Sequence, residues 1–522
     1  MQHDQNHGVI EPRQRKEHAR AGVLVGFLMM AGSGYFELAT GLLRWIFVLR
    51  LLGPTGRGLV GIVQVAEQYL SNIHLGGLHG ITKRLPQALG TRDEIRAQQI
   101  EDVGATWVLV TAVVGAIGMA SAGLLWPGVG PLTRIIVCLG ASIYLCDQTY
   151  NLYRTIGRAW QVYLPLVAGS VVLSLGLTAF MIGGAAIGKA LGATAGWLLA
   201  SAAAVLTLHW TMQLRVRFRL DKSILRDLIL TGIPLAAMAF GDALLVNLEG
   251  TMLLRRNAAV LGLYMGVAMQ ARRYLFNLAR AITFVITPHF LEQFAQHRSP
   301  QRLRESVLRA ATGSAFAAPF LALGSAALLP PAVHTLVPKF SAAVSAGKVT
   351  SFATCLMIIP LAFSAALVAL DREWDSVIAQ LAGAAAIAVL AWEPAGHENL
   401  LGVAMASAAG TWLASTGVSV AAMRRLGISI GGAVWRVLAL QAPLAWSVAS
   451  FIACDKLAWE YARLADASWG GALLRLCIAW ALMLPLAVMA EKRYGMLARV
   501  KASLARAAAR AGPTENVDQE QP

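Results

Sequence analysis

Runs of roughly twenty apolar residues, each broken by a short polar and often basic turn, repeat along this whole chain. A bilayer's hydrocarbon core is about 30 Å thick, and a helix of about 20 such residues crosses it. Spans are expected near residues 21–48, 58–81, 103–125, 132–153, 162–184 and 190–213. A second set falls near 229–254, 260–288, 307–329, 347–370, 375–392 and 401–423, with two more near 431–453 and 469–490. Composition excludes the soluble alternative. Of the 522 residues 57% are hydrophobic and only 14% charged, against about 25% charged in soluble domains. A single larger core cannot absorb the difference, because soluble cores stop growing at about 250–300 residues. The expected fold class is an all-α polytopic membrane protein of about fourteen transmembrane helices.

Charge sets the orientation. Alternate loops, counted with the N-terminus inside, hold 27 Lys and Arg on one side and 9 on the other. Basic loops stay on the cytoplasmic side, so both termini are expected in the cytoplasm. The net charge of +16 is scattered over these loops and forms no contiguous basic face, which argues against nucleic acid. The five cysteines, Cys138, Cys146, Cys355, Cys454 and Cys477, show no metal-ligand spacing. The first apolar run begins near Ala21 and is followed by further spans, so it is expected to be retained as a helix.

The basic stretch 214–226 divides the chain. Residues 1–20 read as a cytoplasmic tail, 21–226 as an N-lobe of six helices with its linker, and 227–425 as a C-lobe of six. Residues 426–490 supply two more helices, and 491–522 form a basic, then disordered, cytoplasmic tail whose stretch 497–510 could lie on the inner leaflet. A faint echo relates the lobes: LRLLGPTGRGLVGIVQ at 49–64 and LRRNAAVLGLYMGVAMQ at 254–270. Pseudo-symmetric repeats around a midplane site are a common transporter build.

Polar side chains within the spans locate the function. Each ionisable group at the bilayer centre costs about 2.5–3.5 kcal/mol on insertion scales, so it faces a cavity or a partner. In the eighth span Gln270, Arg273, Asn277 and Arg280 share one helical face, and the second span carries Gln64, Glu67, Gln68, Ser71 and His74. The first aligns Glu37, Thr40, Gly41 and Arg44; the seventh aligns Asp242 with Glu249. These stripes fit a water-filled cavity between the lobes, lined by Gln64, Glu67, Gln68, Gln270 and Asn277. The alternative is interhelical ion pairs, such as Glu249 with Arg273, acting as packing glue. Arginine's planar fork suits phosphate, so Arg44, Arg273, Arg280 and Arg272 are candidate anion ligands, with Arg272 about 100° off the stripe. Glu37, Asp242 and Glu249, together with Glu67, are the acids available to bind H⁺ or Na⁺. Asp147, Asn151 and Arg154 suggest a lock at the cytoplasmic gate.

Several stretches resemble the Wzx-type oligosaccharide flippases of the multidrug/oligosaccharidyl-lipid/polysaccharide exporter superfamily. They are Arg50-Leu-Leu-Gly53-Pro54-Thr-Gly56-Arg57-Gly58, Gly80-Ile-Thr82-Lys83-Arg84-Leu85-Pro86, Gly232-Ile-Pro234, Leu261-Gly262-Leu-Tyr264 and Thr287-Pro288. The resemblance implies two six-helix bundles in a V, like the multidrug and toxin extrusion (MATE) fold, with the first, second, seventh and eighth helices around a cationic cavity. It further implies an undecaprenyl-diphosphate-linked oligosaccharide as substrate, moved from inner to outer leaflet by alternating access for O-antigen, capsule or exopolysaccharide synthesis. Membrane lipids and the polysaccharide polymerase and chain-length machinery are the implied partners. No cofactor is expected beyond an H⁺ or Na⁺ gradient. The alternatives are an ion-coupled multidrug or organic-cation antiporter of the same fold and a peptidoglycan lipid-precursor flippase. An enzyme is not expected: the longest outside loop, about 330–346, offers only Lys339, His334 and small residues, and no nucleotide loop or metal constellation occurs.

Overall fold

A computed structural model describes residues 23–214, 216–297, 299–457 and 468–494. The tail expected at 1–20, the tail beyond Tyr494 and the amphipathic stretch 497–510 lie outside them. The described residues are helical almost throughout. They begin with α1 (Val23–Leu70), α2 (Gly77–Gly90), α3 (Glu94–Leu125), α4 (Pro131–Ala159) and α5 (Tyr163–Met212). After the linker come α6 (Lys222–Leu254), α7 (Ala258–His297), α8 (Pro300–Leu336), a short 3₁₀ turn (Pro338–Ala343), α9 (Val344–Ile358) and α10 (Leu361–Ala369). The remainder are α11 (Glu373–Gly396), α12 (Leu400–Arg425), α13 (Ile430–Leu457) and α14 (Trp469–Tyr494).

Local chemistry sets the boundaries. Asp93, Asp221 and Asn399 each accept a backbone N–H at the start of α3, α6 and α12, and Pro131 opens α4. The long helix α1 bends at Gly53, whose φ of 63° and ψ of −177° only glycine reaches without strain. In α5 the break at Gly188 and Lys189 folds the helix onto itself. A Cβ on Gly184 would meet Gly192, and one on Gly196 would meet Phe180, backbone to backbone. Small residues permit that approach, as between membrane helices generally.

Among the described residues ten segments are long and apolar enough to cross a membrane, including Gly32–Leu70 (39 residues) and Tyr163–Met212 (50 residues), which contain these breaks. The tally is thus ten where the loop pattern suggested about fourteen. Breaks inside continuous helices merge neighbouring spans, and α4 and α7 carry polar stripes that lower their hydropathy. The short apolar run expected at 375–392 is the helix α11. The surface is apolar as well: Val114, Ile117, Ile187, Leu199, Val389 and Trp435 are all exposed, which suits lipid. The chain is a multi-pass, all-helical membrane protein.

The two echoing stretches are in contact. A Cβ on Gly58 would lie 1.6 Å from the carbonyl oxygen of Ala258, and one on Gly262 would lie 1.8 Å from that of Pro54. Each contact joins one glycine to the backbone four residues before the other glycine, so the two are images of each other about a pseudo-twofold axis through the crossing. At the opposite end α2 meets α6, where Gly76 and Gly232 touch through their backbones. There Arg84 reaches Asp227 at 2.6 Å and Lys83 reaches Asp371 at 2.9 Å. The linker is clipped to the first half: the N–H groups of Arg217 and Arg219 donate to Asp102 Oδ1 (3.0 Å) and Thr106 Oγ1 (3.1 Å). Helices α13 and α14 pack on α8, with Trp480 Nε1 donating to the Phe320 carbonyl at 3.3 Å.

Candidate functional site: an arginine cluster between the two halves

The bend at Gly53 places Pro54 in the opening turn of the second limb of α1, so Arg57 already belongs to that limb. Its side chain is buried and runs along the helix, where Nη2 donates to Gln64 Oε1, seven residues on, at 2.9 Å. Arg57 lies within electrostatic reach of Arg44, on the first limb of α1, and of Arg273 on α7. Arg44 in turn faces Arg273, Tyr274 and Glu37. Three guanidinium groups from both halves thus converge, with Glu37 close to Arg44. Arg44 is half-buried and its Nη1 has no hydrogen-bond partner. Arg273 is exposed although Ala271 and Arg272 beside it are buried. Since its charged neighbours lie on α1, that exposure faces the space between the halves.

Among the other expected lining residues, Gln64 bonds Arg57, Glu67 lies within electrostatic reach of Arg273, and Gln270 lies beside Tyr274. Gln64, Glu67, Gln68, Gln270 and Asn277 are all half-buried, and Gln270 Nε2 lies 3.5 Å from the Tyr274 hydroxyl. Tyr274 also approaches Gly41, where a Cβ would sit 3.5 Å from its oxygen. The α1 stripe of Glu37, Gly41 and Arg44 therefore faces α7, as its period implied.

Three expectations need correction. Arg272 is not a cavity residue: it is buried and forms an ion pair with Glu249 at 2.7 Å, with Nη2 donating to Ser407 Oγ at 3.0 Å. One residue of rotation, about 100°, turns it into the second half while Arg273 faces out. Glu249 is consequently engaged as an interhelical pair, with Arg272 and not with Arg273, and is not a free coupling acid. Asp242 is engaged too: although exposed, it accepts from Gln380 Nε2 at 2.6 Å, which ties α6 to α11. The side chain of Arg280 lies outside the described residues.

Sequence reasoning misses two features. Arg57 reads as a loop charge, yet it lies one helical face-repeat before Gln64, a register that extends the stripe once Pro54 is read as opening a helix. Asp147, expected in a gate lock with Asn151 and Arg154, instead turns inward, where its carboxyl meets that of Glu67 and lies beside Ser201. Arg154 stacks over the Tyr150 ring at 5.5 Å. Glu67 also feels Arg273, which connects this pair to the arginine cluster. Among the described residues no group of three or more His, Cys, Asp or Glu is placed to hold a metal.

No family model matches the sequence, and no curated protein does. Solved structures share the fold. One MATE protein crystallised in complex with MaL6 superposes with a TM-score of 0.58 at 15% identity, over 82% of this chain and 98% of that one. A eukaryotic MATE transporter gives 0.57 at 14% identity, covering 81% and 99%. A superfamily transporter from Pyrococcus furiosus, described as having a binding pocket of reverse polarity that suggests a different function, gives 0.54 at 16% identity, covering 79% and 97%. The chain has the MATE-like fold.

Proposed function

We propose that this protein is a flippase that moves a lipid-linked oligosaccharide, carried on undecaprenyl diphosphate, across a bacterial inner membrane with both termini in the cytoplasm. The observation that carries the reading is the cluster of Arg44, Arg57 and Arg273 between the halves, with a buried Arg44 nitrogen that lacks a partner. Gathered like charges with unmet donors are costly away from water, and a diphosphate satisfies them with charge-assisted, forked hydrogen bonds. The half-buried amides of Gln64, Gln68, Gln270 and Asn277 would meet the sugar hydroxyls. The product would pass to the polymerase and chain-length machinery.

Coupling is assigned here to Glu67 and Asp147. Transport needs an ion that binds the two end states differently, and two neighbouring carboxyls near Arg273 would supply its site. A diphosphate bound at Arg273 would lie near this carboxyl pair, so substrate and ion would influence each other.

The carboxyl pair is also what favours a second reading, an antiporter for organic cations, since solved proteins of this fold include multidrug transporters. Lipid analysis of a deletion strain separates the readings. Undecaprenyl-diphosphate oligosaccharide should accumulate, with surface glycan lost, and wild type but not Arg44→Ala/Arg273→Ala should reverse both. Unchanged lipid-linked sugars beside new sensitivity to cationic dyes would instead select the antiporter. Lethality of the deletion would point to peptidoglycan precursor as the cargo.

A further inference from the structure

The turn Arg255–Asn257 between α6 and α7 lies over a cleft of about 280 Å³, far larger than the ~30 Å³ of one water. Met252, Arg255, Arg256, Trp392, Ala395 and Gly396 line it. Two consecutive arginines are unexpected there, because this turn falls on the side that the loop count leaves poor in basic residues. The guanidinium of Arg255 stacks on Trp392, 3.8 Å from the ring centroid, and Arg256 donates through Nη2 to the Gly396 carbonyl. Both contacts fix the forks without neutralising them. Of the nearby acids, Glu398 accepts from Asn257 Nδ2 at 3.1 Å, Glu393 is exposed, and neither lines the cleft.

The depth of the cleft identifies its occupant. On α11 the exposed residues Val389, Leu390 and Trp392 are apolar, and Glu393 follows. The lipid-facing surface therefore ends at Trp392, at the level where tryptophan marks the membrane–water boundary. We propose that Arg255, Arg256 and Trp392 form a site for the phosphate headgroup of an anionic lipid. A phosphodiester at this level meets two oriented forks and an aromatic wall, and its acyl chains continue down the apolar face of α11. The site adjoins the contact between the halves, since Ala258, the next residue but one after Arg256, abuts Gly58. It stands whatever the transported substrate is.

The test uses the full-length protein in nanodiscs of phosphatidylcholine alone, of phosphatidylcholine with phosphatidylglycerol, and of phosphatidylcholine with inorganic phosphate at matched ionic strength. Phosphatidylglycerol should raise the unfolding midpoint by several degrees. Arg255→Gln/Arg256→Gln should lose most of that increment, Trp392→Ala should lose part of it, and Trp392→Phe should keep it. Reading the increment within each protein removes any general loss of stability in a variant. An equal increment in wild type and the double variant would overturn the site. Equal protection by inorganic phosphate would replace the lipid with a free anion and overturn the proposal as well.

Discussion

At the scale of single residues, adjacent arginines have opposite fates. Arg272 and Glu249 are both buried and paired at 2.7 Å. Removing one partner of such a pair strands the other and costs about 3–5 kcal/mol, whereas replacing both with apolar groups of similar size is often neutral or better. Arg272→Met and Glu249→Leu should each lower the thermal midpoint sharply, and the double variant should recover most of the loss. A double variant worse than both singles would contradict this account. Arg57 should behave differently, with little effect on folding. If the cargo is the proposed lipid-linked diphosphate, Arg57→Ala removes charge-assisted hydrogen bonds worth about 1.5–3 kcal/mol and should weaken its binding roughly ten- to a hundredfold. Arg57→Lys should restore only part of it, because an ammonium lacks the planar fork. The adjacent pair also marks the limit of pattern reading. A helical period separates Arg272 from Arg273 by about 100°, yet whether either direction points into protein or open space depends on neighbours far along the chain.

At the scale of elements, glycine contacts decide where helices can cross. Gly58 and Gly262 leave no room for a Cβ against Ala258 and Pro54, and the obstructing atoms are backbone. Gly58→Ala or Gly262→Ala should force α1 and α7 apart at this end, at about 1–3 kcal/mol, typical of overpacking. Val60 is buried in the same turn as Gly58, so increased labelling of Val60→Cys would report the separation. Unchanged labelling would show that the crossing tolerates a methyl group. The start of α6 gives a pH-dependent case. Asp221 accepts from Ser223 and from the N–H groups of Ser223 and Ile224, which holds its carboxyl below the usual carboxylate range. A lowered folded value stabilises above the unfolded value near 3.9 and is lost as pH falls through the folded one. Asp221→Ala should therefore be less stable than wild type at neutral pH, and the two midpoints should converge in acid. The break in α5 was legible only as a gap between apolar runs, because α5 stays helical up to the break on both sides.

At the scale of the whole molecule, the halves are joined at both ends: by the α1–α7 crossing at one, and by Lys83–Asp371, Arg84–Asp227 and the α2–α6 contact at the other. The alternating access of the proposed function requires one set to open while the other holds. The two ion pairs are exposed enough to be worth only about 0–1 kcal/mol each, so they set a register and do not act as a lock. Joining Lys83→Cys to Asp371→Cys with a short reducible dithiol linker should abolish transport, and reductant should restore it. Activity in the crosslinked protein would place the moving surfaces elsewhere.

Hydrophobic run length, a local property, was enough to determine a multi-pass all-helical protein, and helical periodicity was enough to put Glu37, Gly41 and Arg44 on one face of α1 and Gln270 and Arg273 on one face of α7. The echo at 49–64 and 254–270 hinted at paired halves, and those stretches do meet across a symmetric crossing. Tertiary structure alone decided which charges remain free. It paired Glu249 with Arg272, tied Asp242 to Gln380, turned Asp147 toward Glu67 and brought Arg57 beside Arg44 and Arg273. Each of these outcomes joins side chains from helices distant in sequence or separated by a bend. A period fixes only the direction in which a side chain leaves its own helix, and the partner it meets there depends on how the helices cross.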